Sequence, residues 1–249
     1  MRRVLLSVVF ILSVSAVGSA QQFTYYFPQI AVGPGWMTTI FVSNAMAAGG
    51  GRATIILTKS DGTPFRSNWV DETGNNVTDG TNVIVVELAS GESRRFISIS
   101  DGSMAMGYAT VVSNSSAILG TAVFTQFDGR LNILAEAGVP MAIPLAKQAL
   151  FVDTTNGLRT GLAVANPNNI AQQVRFELVS DTGQVVMSTT RELGPSEHMA
   201  VYLDQLFGGL PSMVGRLQFW SANPLTSVAL RFSPGGASFT TLAPLAIGN

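Results

Sequence analysis

The sequence predicts an all-β protein: two tandem antiparallel β-sandwich domains behind an N-terminal signal peptide. Three observations carry this. The first twenty residues have the layout of a secretory signal, the rest of the chain repeats itself in order, and both copies consist of short β-forming runs separated by turn formers.

Arg2 and Arg3 form a positive start, Val4 to Val14 is almost wholly apolar, and Gly18-Ser19-Ala20 puts small side chains where a signal peptidase cuts. The apolar stretch is too short to span a bilayer comfortably, and no later segment has the ~18 consecutive apolar residues of a membrane helix. Residues 1–20 are therefore read as a cleaved signal peptide rather than a buried strand or an anchor. Gln21 would begin a periplasmic or extracellular protein.

The repeat shows in four matched segments in the same order. Thr38-Thr39-Ile40-Phe41-Val42-Ser43-Asn44 matches Thr160-Gly161-Leu162-Ala163-Val164-Ala165-Asn166. Leu57 to Gly62 matches Leu178 to Gly183, and Leu88-Ala89-Ser90-Gly91-Glu92 matches Leu193-Gly194-Pro195-Ser196-Glu197. Gly107 to Phe124 matches Gly215 to Phe232. Fixed-order self-similarity marks a duplicated unit. The predicted domains are 22–144 and 145–249, joined by a segment stiffened by Pro140 and Pro144. The first carries an inserted loop, 66–82, rich in Asn, Asp, Gly and Thr. The second carries Asp204 to Pro211, read as one helical turn stopped by glycine.

Thr54-Ile55-Ile56-Leu57, Val83-Ile84-Val85-Val86, Phe96-Ile97-Ser98-Ile99 and Ala122-Val123-Phe124 are β-branched or aromatic runs. Val174 to Leu178 alternates apolar and polar, as a half-buried strand does. Asp61-Gly62, Asp128-Gly129 and Asp181-Thr182-Gly183 read as hairpin turns. Strands about every ten residues suit sandwiches of about seven strands. A membrane barrel would require aromatic girdles, whereas aromatics are only 8% of this chain.

Several segments resemble a family of secreted tandem immunoglobulin-like β-sandwich repeat proteins of environmental Gram-negative bacteria. The carrying residues are Phe27-Pro28-Gln29-Ile30-Ala31, Trp36 to Ile40, Glu136 to Pro140, Gly161 to Pro167, Leu230-Arg231-Phe232 and Phe239 to Leu242. The likeness spans nearly all of the chain after residue 21. It implies an immunoglobulin-like fold and export, and brings no activity and no functional residue.

Chemistry is sparse. There are 14 basic and 15 acidic residues, so nothing draws the chain to nucleic acid or an anionic surface. Cysteine is absent, which removes disulfides, thiolate metal sites, cysteine nucleophiles and a lipidated cysteine. His198 is the one histidine, so any histidine-based triad or metal site must use it; it reads as an isolated surface residue.

Two weak sites remain. Asp71, Glu72, Asn75 and Asp79 form an oxygen-rich stretch of the kind calcium favours, without the spacing of a calcium loop. Trp69, in the inserted loop, reads as an exposed aromatic, with Trp36 as a second stacking surface; Trp220 reads as core. Asn44 and Asn166 recur at the same place, which suggests a turn role through the left-handed conformation.

The expected function is a non-catalytic secreted or cell-surface module for adhesion, surface structure or protein contact, with an extracellular protein or glycan as partner. The alternatives are a carbohydrate-binding module around Trp69 and an unrecognised secreted hydrolase.

Overall fold

The computed structural model describes residues 21–248. The expected signal peptide, 1–20, lies outside the described residues. The first half contains β1 (Phe23–Val32), β2 (Trp36–Asn44), β3 (Gly51–Lys59), β4 (Asn68–Val70), β5 (Val83–Leu88), β6 (Ser93–Ile99), β7 (Ala105–Ser113), β8 (Ile118–Phe127) and β9 (Ile133–Pro140). The second contains β10 (Leu145–Asp153), β11 (Arg159–Ala165), β12 (Gln172–Ser180), β13 (Val185–Leu193), β14 (His198–Tyr202), α1 (Leu203–Phe207), β15 (Val214–Phe232), β16 (Phe239–Leu242) and β17 (Leu245–Ala246). The protein is all-β, and its named strands pair antiparallel. No helix among the described residues is long and apolar enough to cross a membrane.

In the first half, one sheet runs β1-β7-β3-β5 and the other β4-β6-β2-β8-β9. Alternation drives the layering. Val83, Val85 and Glu87 of β5 face outward while Ile84, Val86 and Leu88 are buried. Those three pack with Ile55, Leu57 and Val111 of their own sheet, and with Ile40, Val42 and Phe96 of the other, in one core. The second half pairs in the same order: β10-β15-β12-β13 in one sheet, and β14-β11-β15-β16 in the other. Here β15 does the work of both β7 and β8, passing from one sheet to the other near Asn223-Pro224.

That crossing changes the register. Gly107 opposes Lys59 and Gly215 opposes Ser180, which relates Gly107 to Gly215. Beyond the crossing, Leu119 opposes Ser43 and Thr226 opposes Ala165, one residue out. Phe124 therefore corresponds to Arg231, not to Phe232, and a one-residue slip turns a side chain to the other face. Phe124 points inward and is buried. Arg231, in its place, pairs with Asp153 at 3.0 Å.

Each sandwich closes its open side differently. In the first, the inserted loop folds back, and β4 pairs with β6 so that Trp69 opposes Ser98. Trp69 and Phe65 then join the core. In the second, α1 does this with Leu203 and Leu206, and Gly208 ends it in the left-handed conformation at φ 75°. The expected helical turn is present; the expected plain loop is a packed plug.

Asn44 and Asn166 are both buried and not left-handed. Asn44 Nδ2 donates to the carbonyls of Gly49, Leu88 and Ala89, and its Oδ1 accepts from the Met46 N–H. Asn166 repeats the pattern with Ile170, Leu193, Gly194 and Asn168. Their turn role thus works through the side chain rather than through backbone φ, tying three carbonyls of neighbouring segments to one amide.

Candidate functional site at the junction of the halves

The two halves meet asymmetrically. The inward face of β8 and β9 continues past the first sandwich with Phe124, Ala135, Ala137 and Val139. It rests on the outward face of the second half, on Ala163, Val228 and Phe239. Small residues permit the approach: Gly161, Ala163 and Ala200 stand where the first half has Thr39, Phe41 and Arg95.

His198 sits in this junction, 3% exposed, which corrects its reading as a surface residue. Outward on β14 in the second half, it is capped by the first. Its N–H donates to the Ser60 carbonyl at 3.0 Å, and its Nδ1 lies 2.9 Å from Ser60 Oγ. Ser60 Oγ also lies 3.1 Å from the Met106 carbonyl. Tyr108 stacks on the ring at 6.5 Å between centroids. Burial pushes the imidazole down to about 4, against a smaller opposing pull from the Pro28 carbonyl. Among the described residues no carboxylate hydrogen-bonds the ring, so this serine–histidine contact lacks a triad's third member.

Beside it, between the halves, lies a crevice of about 270 Å³. Gln29, Trp36, Met104 and Phe124 line it from the first half, and Ala163 and Tyr202 are among those from the second. Trp36 is half-buried here, its ring 5.5 Å from that of Phe239. Trp36, expected as a stacking surface, forms part of the largely apolar wall of this crevice. Gln29 was missed as a candidate, since a lone glutamine in an apolar run carries no recognisable signal.

The other sequence candidates do not come together. Trp69, expected exposed, is 0% exposed, with its indole N–H donating to Ser67 Oγ at 2.8 Å. The polar letters around it hid a side chain whose partners lie on distant strands. Trp220, expected in the core, is half-buried on the outward face, with Lys147 and Arg175 across its ring; Phe219 takes the inward position. Asp71 Oδ1 accepts from the Thr73 and Asn75 N–H groups and from the Thr73 hydroxyl, which holds its carboxyl below the usual range. Glu72 pairs with Arg94 at 2.7 Å. Asp79 lies in the following turn at φ 43°. Among the described residues, no three His, Cys, Asp or Glu side chains cluster to hold a metal.

No family model matches the chain, and no curated protein matches it. Among solved structures, Thermotoga maritima 1070 is similar at a TM-score of 0.35 and 18% identity, over 41% of this chain and 91% of that one. A likeness of that degree carries no argument about fold or function.

Proposed function

We propose that this chain is an exported, non-catalytic module whose work is adhesion, surface structure or protein contact, built from two copies of one immunoglobulin-like sandwich. The shared pairing order supports the duplication. The immunoglobulin reading rests on the inner strands: β2 with β6 and β3 with β7 pair as B–E and C–F do. The flanking strands change places, since β1 lies beside β7 and β8 beside β2.

The observation that carries the contact function is a bare face. In the second half the outward face of β11, β14 and β15 is covered by the first half. Among the described residues the corresponding face of β2, β6 and β8 is buried at Thr39 and Thr125 but open at Phe41 and Leu119, 40% and 55% exposed. Apolar side chains grouped on one face mark an interaction surface. The glycan alternative has no such support, because Trp69 offers no ring face. A hydrolase reading would rest on Ser60 and His198, which lack both a carboxylate and a place in the crevice wall.

The test is retention of purified protein on producing cells, comparing wild type with a Phe41→Ser/Leu119→Ser variant of unchanged melting temperature. Loss of retention in the variant is expected. Equal retention overturns the assignment of the face, and substrate turnover that survives stringent purification overturns the non-catalytic reading.

A further inference from the structure

We propose that the crevice between the halves binds a small neutral molecule with an apolar body and one hydroxyl group, such as an alkylphenol. It is bounded by both halves and has about 270 Å³ of space. Among the described residues no charged side chain lines it, so a charged ligand would lose its hydration with no countercharge in return. Trp36, Phe124 and Phe232 give it flat aromatic walls. Met104 and Met106, 47% and 39% exposed, stand at its rim, where flexible thioethers fit varied apolar shapes.

The polar feature is Gln29. It is 7% exposed, and among the described residues its Oε1 has no hydrogen-bond partner. A buried amide without a partner is costly, and because Oε1 as placed is closed off from the crevice, a ligand there reaches the oxygen only when the amide turns. The other amide in the wall, Gln205, already accepts from the Tyr202 N–H at 2.9 Å. Turning about its last side-chain bond, Gln29 presents either oxygen or nitrogen. A hydroxyl both donates and accepts, so it suits either orientation.

The experiment titrates the protein with 4-propylphenol and, separately, with propylbenzene, following tryptophan emission and melting temperature. On the wild type, propylphenol is expected to bind about tenfold more tightly than propylbenzene, the gain of roughly one hydrogen bond to a buried partner. Gln29→Leu is expected to bring the two affinities together, and Met104→Trp at the rim to weaken both. The emission change is expected to vanish in Trp36→Phe. Absence of any response to either compound up to its solubility limit overturns the site. A phenol preference that survives in Gln29→Leu overturns the role of Gln29, as does equal binding of the two compounds by the wild type. These outcomes are independent of cell retention through Phe41 and Leu119.

Discussion

Ser60 Oγ and His198 Nδ1 lie 2.9 Å apart although 138 positions separate them in the chain. One belongs to each half, so the contact fastens the two together. Its geometry also makes the junction sensitive to acid.

His198 is held neutral, at about 4 against an ordinary 6.5, chiefly because burial disfavours the charged ring. A lowered folded-state value means that protons bind the unfolded chain first. The contribution is complete above about pH 6.5, declines as pH falls from there toward 4, and is lost below that. It amounts to about 3 kcal/mol. Urea unfolding at about pH 7.5 and about pH 4 should show this loss in the wild type relative to His198→Gln, which removes the titration. Parallel pH profiles for the two proteins would refute it.

Gly107 and Gly215 occupy matching places where β7 crosses β3 and β15 crosses β12. An added Cβ would overlap the carbonyl oxygens of Thr58 and Val179. Gly107→Ala and Gly215→Ala should each cost about 1–3 kcal/mol, the usual range for overpacking. Gly129→Ala, with nothing near its Cβ, is the control and should unfold at the wild-type denaturant concentration.

Asn166→Ala removes the side-chain donor shared by the carbonyls of Ile170, Leu193 and Gly194, leaving Gly194 its bond from the Glu197 N–H, and should cost about 2 kcal/mol. Asn166→Asp should be worse at neutral pH, because a carboxylate would face three carbonyl oxygens. Denaturation curves of both variants at about pH 7 test the order, and the matching pair at Asn44 should behave alike.

Trp69→Ala should destabilise the protein by about 3–5 kcal/mol through the cavity it leaves. Chemical denaturation measures this. A variant with wild-type stability would mean that the inserted loop is not a plug.

The fold was legible where burial is one-sided. Alternation in Val174 to Leu178 and β-branched runs such as Val83 to Val86 are local signals, and all lie in strands. What the sequence hid depends on distance or parity. Trp69 is buried by strands far along the chain, and Trp220 differs from Phe219 by a single position that decides its face. The missing residue at the β15 crossing cannot be seen from the match of Phe124 to Phe232. The junction did leave a trace. Where the first half has Thr39, Phe41 and Arg95, the second has Gly161, Ala163 and Ala200 at the same register positions, the side-chain reduction a close neighbour requires.

The substitution of Arg231 for Phe124 gives the molecule a direction. The first sandwich ends in an apolar overhang that a following module can sit under; the second ends in Arg231 paired with Asp153, with Ser238 and Thr240 where the first has Ala135 and Ala137. A third module placed there would have to bury an ion pair with no compensating apolar contact. Among the described residues the apolar overhang of the first half therefore has no counterpart in the second.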